Sequence, residues 1–436
     1  MCLCWAFRSD TEQSGCQWAV SSLGVAHVAD RGIRYLSKLC SKRYKCISQK
    51  LSEVSHDVAL LEEVWSEKDY MKLKEKLASY YPHSHYFRSG VIGSGLCVFS
   101  KHPIIDTLLY QYSLNGYPFM LHHGDWFGGK SVGLVVLNLS GIIVNAYVTH
   151  LHAEYSREKD AYHPHRILQA WELGQFVRHT SQVADIVLLG GDLNMHPDDL
   201  GNRLLRSLTG LRDSFIEADS YEGPEGGCTS IPQNSFTSKH EFNSFPQGIR
   251  IDYILFKGSD KYSINCRALQ TTQATDGREF PISDHEAVSA TLQVQHGTTQ
   301  RLLGGAEIGA IDVLNEARTE LRVGLHIATG HQRGAGRLFG LSIALVLLSL
   351  AIALCGITSK ALSFVFGAET LAEEGLPIVV LCLLGLGASL SALLAIAAYV
   401  LFTTEIKALR GAEDEMRRQT HTLQHALIHD KGRAMI

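Results

Sequence analysis

Carboxylates and histidines recur in this chain where apolar runs give way to polar ones. Glu62 and Glu63 close ALLEEVW, and His150 and His152 sit in VTHLHAEY. Asp192 and Asn194 end GGDLN, Asp252 opens the apolar part of RIDYIL, and Asp284 and His285 lie in PISDHEA. One carboxylate at a strand end is usually structural. Several oxygen ligands and three histidines in repeated strand-end positions point to chemistry instead. Hard oxygen donors suit Mg²⁺, which keeps several waters and takes few protein carboxylates. Phosphodiester hydrolysis needs a Lewis acid on the phosphoryl oxygens, a base for water and help for the leaving alkoxide, and this inventory can supply all three. Zinc is the rival metal, but no HExxH or clustered Cys/His spacing supports it.

The elements that must hold these residues are short and β-rich. DVALLEEVW, GLCVFSKHPI, SVGLVVLNLS, IIVNAYVTHLH, ADIVLLGGDLN, IDYILF and EAVSATLQV read as buried strands. RILQAWELGQFVRHT has helical spacing at Ile167, Leu168, Trp171 and Phe176. Many strands with few long helices predict an α+β sandwich of two sheets flanked by helices, with functional groups where strand ends converge.

Residue averages hide a contrast along the chain. The 436 residues carry a net charge of −4 and are 45% hydrophobic, but the apolar residues crowd into the last quarter. So weak a charge argues against a general nucleic-acid binder. The N-terminus has no basic start or apolar core of signal-peptide length. Ten cysteines without a paired CxxC pattern read as reduced thiols. Residues 338–358 and 377–402 contain no charged residue, and each reaches the roughly 20 residues a bilayer requires. Core helices of a soluble protein are the bland reading, which two such runs in succession disfavour. Arg333 and Arg337 before the first run and Lys407 and Arg410 after the second put both ends in the cytosol. Ile311, Leu314, Leu321 and Leu325 mark one face of a juxtamembrane helix. The expected organisation is an atypical segment at 1–31 and a phosphodiesterase domain at 32–295. A linker with a juxtamembrane helix at 296–336, the two spans and a cytosolic tail at 403–436 follow.

Taken in order, LLEEVW, SGLCVFSKHPI, THLHAEY, GDLN, RIDY and SDH resemble the endonuclease/exonuclease/phosphatase superfamily. With two C-terminal spans, the resemblance narrows to the neutral sphingomyelinases. It implies Mg²⁺-dependent hydrolysis of sphingomyelin, and of lyso-choline phospholipids too, by in-line attack of water. Glu63 matches the principal metal ligand, with Asp284 in the metal neighbourhood. His285 matches the histidine that activates water, and Asp252 the carboxylate that orients it. Asp192 and Asn194 match the pair that positions nucleophile and phosphate. His150 matches the histidine assisting the leaving alkoxide, with His152 a weaker candidate. Asp125 and Lys130 in GDWFGGK resemble a site-shaping pair of neutral sphingomyelinases. An endoplasmic-reticulum or nuclear-envelope location suits spans of modest length.

Three features cut across this reading. Ala29 stands where the family has a metal-binding Asn, and the residues before GIRYLSK show no clear strand pattern. A membrane-tethered pseudoenzyme is therefore one alternative, and a nuclease of the same superfamily is another. A nuclease would need a basic groove with stacking aromatics. GDWFGGKS satisfies the P-loop expression, but VGLVVLNLS after it reads as a strand where a P-loop needs a helix.

Overall fold

A computed structural model describes residues 4–5, 9–10, 17–23, 39–54, 56–237, 242, 244–275, 277, 279–297, 305–366 and 375–433. The Ala29 position lies outside the described residues. The N-terminal strands are β1 (Cys4–Trp5), β2 (Ser9–Asp10) and β3 (Gln17–Leu23). Helix α1 (Cys40–Val54), strand β4 (Val58–Leu61) and helix α2 (Glu67–Leu77) follow. Then come β5 (His83–Tyr86), β6 (Cys97–Ser100), β7 (Ile104–Gln111) and the four-residue helix α3 (Asp125–Gly128). Strands β8 (Ser131–Leu139) and β9 (Ile142–His150) lead into helix α4 (His163–Thr180) and strand β10 (Ile186–Asp192). Helix α5 (Leu200–Thr209), β11 (Arg212–Asp213), helix α6 (Ser214–Glu217) and β12 (Tyr221–Glu222) form a short excursion. Strands β13 (Asp252–Gly258), β14 (Tyr262–Thr271) and β15 (Val288–His296) end the β-rich part.

These strands hydrogen-bond as β1-β4-β6-β5, as β11-β13-β10-β9-β8-β7 and as β12-β14-β15-β3-β2. One apolar cluster explains how the sheets layer. Val58, Leu60 and Val98 of the first, Val144, Leu188 and Phe256 of the second, and Ile264, Ala290 and Leu292 of the third share it. The six-stranded sheet thus faces the other two across a single core, the two-layer sandwich expected from the pattern. Strand residues of opposite parity face outward under helices. Leu134, Tyr147, Leu189 and Leu255 pack beneath Ala170, Leu173 and Val177 of α4 and Leu205 of α5. Ala59, Leu61 and Phe99 pack beneath Tyr44 and Ile47 of α1 and Leu73 of α2.

Strand β3 is a departure from the sequence reading. Gln17 to Leu23 pair antiparallel with β15 over seven positions, so the third sheet includes N-terminal residues that show no clear strand pattern. QWAVSSL is short, and only Trp18, Val20 and Leu23 are bulky, which leaves period-2 alternation incomplete.

The C-terminal helices also differ in extent. Helix α7 runs unbroken from Gly305 to Phe366, and α8 from Gly375 to Arg433. Linker-proximal helix and first span are thus one element, as are second span and tail. At 62 residues, α7 is about 93 Å long, far beyond a bilayer's hydrocarbon thickness. Both helices are long and apolar enough to cross a membrane, and most side chains in their apolar windows are uncovered. This suggests membrane association.

Residues 318–416 form a unit of their own. Glu413 Oε1 accepts from Arg318 Nη2 at 3.1 Å and from Arg322 Nη2 at 2.7 Å. Gln332 Nε2 donates to Thr403 Oγ1 at 2.8 Å, and the Ser342 and Ser391 hydroxyls meet at 2.9 Å. The partners of successive α7 residues recede along α8, as an antiparallel pair requires. A hydroxyl pair inside an apolar stretch satisfies polar groups that lipid could not.

Candidate active site

The centre of the site is set by strand register. Strand β9 runs parallel to β10 with His150 opposite Asp192, and β13 runs antiparallel to β10 with Asp252 opposite the same Asp192. Three side chains therefore stand in one row across three neighbouring strands. Each shares parity with its strand's core-facing residues: Val144, Ala146 and Val148 with His150, Ile186 and Leu188 with Asp192, Ile254 and Phe256 with Asp252. The row continues the inner face of the sandwich at the point where apolar packing ends. All three residues are buried.

Glu62 enters this row from the opposite sheet. It continues the inner parity of Val58 and Leu60, and its Oε2 and Oε1 accept the Asp192 backbone N–H at 3.1 and 3.3 Å. Burial, then the carboxylates of Asp192 and Asp252, push its carboxyl well above the usual range. Gly191, beside it, approaches the Thr149 carbonyl and the Glu62 carboxylate too closely for any Cβ.

His285 reaches the row through Asp252, with Nδ1 2.9 Å from Oδ2. Burial would lower the imidazole, but Asp252, by charge and hydrogen bond, and then Asp192 and Asp284 outweigh it, raising the pKa to about 10. A base near neutral pKa is what water activation prefers, so the carboxylate field overshoots in the protein alone. The segment carrying His285 is held on both sides. Arg43 Nε of α1 donates to the Ile282 carbonyl at 2.9 Å, and Asn234 Nδ2 donates to the Ser283 carbonyl at 2.8 Å and to Glu286 Oε1 at 3.0 Å. Asp284 is buried and accepts from the Ser283 hydroxyl at 3.2 Å. Asn194, at a φ of 49°, folds back on Asp192. Its N–H donates to Oδ1 at 2.8 Å and its Nδ2 to Oδ2 at 3.1 Å.

A second chain of polar groups approaches from α3. Tyr155 donates to Asp125 Oδ2 at 2.5 Å, and Lys130 Nζ lies 3.0 Å from Asp125 Oδ1. The same Nζ is 2.6 Å from His150 Nε2, which is 3.5 Å from Asp192 Oδ2. His150 Nδ1 in turn faces Glu63 Oε1 at 3.8 Å. Asp125 would be raised by burial, but His152, Lys130 and the Tyr155 hydroxyl hold it well below the usual carboxylate range. His152 is buried, with Nε2 3.9 Å from Asp125 Oδ2 and Nδ1 2.9 Å from the Ala153 carbonyl. Strand β8 starts at Ser131, immediately after Lys130, so GDWFGGKS lacks the helix a phosphate loop requires.

Glu63 is aimed by backbone rather than by strand parity. Its φ of 55° ends the pleat, and Trp65 Nε1 donates to its Oε2 at 3.3 Å. Gly95, at a φ of 67°, lies against this turn, where a Cβ would come within 2.8 Å of the Glu63 and Val64 backbone.

These residues fit a divalent cation. Ligand atoms of Asp192, Asp252 and His285 lie within 4.8 Å of one another. Asp252 Oδ1 is buried with no hydrogen-bond partner among the described residues. Glu62, Asp192, Asp252 and Asp284 gather negative charge in the interior, where uncompensated charge is costly. The donor set is oxygen-rich and contains no thiolate, which suits a hard ion. Glu63 and Asp284, the ligands implied by resemblance, are buried beside this group without belonging to the three that converge.

Similarity to known proteins agrees with this arrangement. The profile described as the Endonuclease/Exonuclease/phosphatase family matches residues 32–285. Sphingomyelin phosphodiesterase 2 of Mus musculus is 53% identical over 327 residues, covering 73% of this chain and 78% of that protein. The Homo sapiens protein of the same name is 51% identical over 331 residues, 74% and 78% of the two chains. The chain belongs to the neutral sphingomyelinase branch of the endonuclease/exonuclease/phosphatase family. A putative neutral sphingomyelinase of Caenorhabditis elegans is 43% identical over 267 residues, 58% of this chain and 61% of that one.

For a neutral sphingomyelinase relative, sequence reasoning named most of the central row. It named Glu62 with Glu63 but gave it no role of its own, whereas its carboxylate accepts the Asp192 N–H. The overlooked signal was parity, since positions 58, 60 and 62 share one face of β4 and its extension. Tyr155 was missed, although its hydroxyl fixes Asp125. Nothing local in THLHAEY announces a partner in GDWFGGK.

Proposed function

We propose that the chain hydrolyses sphingomyelin to ceramide and phosphocholine at a membrane surface, with Mg²⁺ bound, by in-line attack of water. The reading is carried by the His150–Asp192–Asp252 row with His285 hydrogen-bonded to Asp252, in a chain related to sphingomyelin phosphodiesterases. Asp252 holds His285 at Nδ1, and in this reading Nε2 takes the proton of the attacking water. Asp252 holds the ring's orientation and balances the imidazolium that forms. Asn194 and Asp192 orient the water and the phosphate. His150 and Lys130, backed by Asp125, face the side on which the ceramide alkoxide leaves, and His152 packs behind them. When bound, Mg²⁺ supplies Lewis-acid charge to the phosphoryl oxygens and opposes the carboxylate field that raises His285.

Glu63 and Asp284 hold the ion in this scheme. A second seat is favoured by the convergence of Asp192, Asp252 and His285 within 4.8 Å. Isothermal titration of Mg²⁺ separates them: Glu63→Gln weakens binding strongly in the first case and modestly in the second. Lyso-choline phospholipids, which present the same phosphocholine group, are secondary substrates. The spans hold the catalytic domain on the cytosolic side of the endoplasmic reticulum or nuclear envelope, consistent with Arg333, Arg337, Lys407 and Arg410 at their flanks.

The deciding experiment is phosphocholine release from sphingomyelin in mixed micelles, with and without Mg²⁺. His285→Ala is expected to lower the Mg²⁺-dependent rate by roughly 10²- to 10⁴-fold. Equal rates for the two proteins would remove His285 as the base. No Mg²⁺-dependent release by the unaltered, folded chain would favour a non-catalytic tethered protein.

A further inference from the structure

Large apolar side chains stand open on residues 91–92 and on 119–126, the stretch that carries Asp125 toward the site. Val91 is 75% exposed, Leu121 71%, Phe119 56%, Ile92 46% and Trp126 37%. Large apolar side chains this open are unexceptional singly, but a group of them on adjoining loops marks an interaction surface. The loops are joined rather than loose. The N–H groups of Val91 and Ile92 both donate to the Phe127 carbonyl, at 3.1 and 3.0 Å, and the Ser89 hydroxyl donates to the Gly129 carbonyl at 3.0 Å. Gly90 and Gly129 touch backbone to backbone, where a Cβ on either would approach the other to 2.5–2.8 Å. The plate is also continuous with the catalytic machinery. Trp126 follows Asp125 directly, so one turn of chain presents an open indole while its neighbour grips Lys130.

Charge narrows what the face fits. Residues 89–99 and 113–124 contain no Asp, Glu, Lys or Arg. Arg88, at the edge, is paired with Glu67. His123, stacked on Tyr155 at 3.8 Å, is held below the ordinary imidazole range by burial and then by His122. A neutral apolar plate with an indole suits the interface of a zwitterionic bilayer, where tryptophan is favoured. It lacks the basic side chains an anionic surface would select.

We infer that Val91, Ile92 and Trp126, with Phe119 and Leu121, dock on a bilayer of choline phospholipids and hold the catalytic mouth against it. The inference rests on the proposed hydrolysis of a bilayer lipid and adds how the domain meets that lipid. The occupant is the bilayer, because the face adjoins the site that would receive a lipid headgroup and the chain carries its own apolar helices.

The test uses the full chain in vesicles of phosphatidylcholine and sphingomyelin. No tryptophan falls in α7 or α8, so quenching by brominated acyl chains reports only on tryptophans outside those helices. Bromolipid quenching is expected, lost in Trp126→Phe and reduced by Val91→Asp with Leu121→Asp. The double variant should hydrolyse bilayer sphingomyelin roughly tenfold more slowly or worse, as expected for losing two apolar insertions. Its rate on short-chain sphingomyelin, supplied below its micelle concentration, should be unchanged. Trp126 emission that resists bromolipid yet is quenched by aqueous iodide would overturn the inference. Equal losses on the two substrates would overturn it too, assigning these residues to folding or chemistry. An unaltered chain inactive on both substrates would sink the hydrolase reading, while the quenching still decides the docking.

Discussion

Lys130 Nζ sits 2.6 Å from His150 Nε2 and 3.0 Å from Asp125 Oδ1, bridging an imidazole and a carboxylate in the interior. An ammonium only donates, so His150 Nε2 accepts and the imidazole proton rests on Nδ1, toward Glu63. The proton-bearing group on the Nε2 side is then Lys130, although the sequence resemblance gives the leaving-group task to His150.

Breaking this bridge should be costly from either end. Lys130→Met leaves Asp125 buried without its ammonium, and Asp125→Asn leaves Lys130 buried without its carboxylate. Each single variant should lose about 3–5 kcal/mol. Combining them should restore part of that loss, a coupling of about 0.5–3 kcal/mol in a double-mutant cycle read by urea unfolding. Strict additivity would mean that the pair is not coupled.

Two of the buried histidines, His152 and His285, give the metal-free protein opposite pH dependences. Burial lowers His152 to about 4, Asp125 opposing and His165 assisting. Between about pH 6.5 and 4 the unfolded chain takes up a proton that folded His152 refuses, so stability falls as pH falls, by up to about 3 kcal/mol. His285, raised to about 10, behaves conversely. Its contribution is complete below pH 6.5 and disappears as pH rises toward 10. Unfolding in EDTA across this range should show both slopes. His152→Asn should flatten only the acid one, and His285→Asn only the alkaline one.

Glu62 should tolerate amidation better than removal. Burial and two neighbouring carboxylates already disfavour its charge, so Glu62→Gln keeps an acceptor for the Asp192 N–H while removing repulsion. The metal-free melting temperature is expected to hold or rise. Glu62→Leu orphans that N–H and should cost about 1–3 kcal/mol. A loss with Gln as large as with Leu would show that the carboxylate itself, and not merely an acceptor for the Asp192 N–H, is needed.

Gly95→Ala tests whether the Glu63 turn matters to the ion. The new methyl meets fixed backbone at 2.6–2.8 Å in a left-handed conformation, so Glu63 or the 93–95 loop must shift. A stability loss of about 1–3 kcal/mol is expected. Mg²⁺ affinity measured by calorimetry should fall with it. Unaltered affinity would separate Glu63 from the metal.

Much of this architecture is readable in the chain because burial writes itself as local pattern. VGLVVLNL, IIVNAYVTH and IVLLGGD are apolar enough to announce central strands; the first strand begins directly after Lys130, and the other two end at His150 and Asp192. Strand β7 is not readable that way. IIDTLLYQ lies at the edge of its sheet with both faces partly open, so no alternation is imposed on it. Strand β3 takes its role from pairing with β15, a partner far along the chain. Helix α8 reaches Arg433 although its tail pattern is broken, since among the described tail residues Ile406, Leu409, Ala412 and Met416 are the buried apolar ones. In the site, resemblance reached the side chains that share motifs. Glu62 meets Asp192 across 130 residues, a contact that adjacent letters do not encode.

The row across β9, β10 and β13 has a consequence for quality control. The hydrogen bonds that align His150, Asp192 and Asp252 are the ladder bonds of the sheet itself. Slipping any one strand by a single residue turns its member of the trio to the helix-covered side, because side-chain direction reverses at each step. The domain therefore has no half-aligned version with slack, indiscriminate activity. A chain that fails to zip correctly is silent, and hydrolysis is released only by the finished fold.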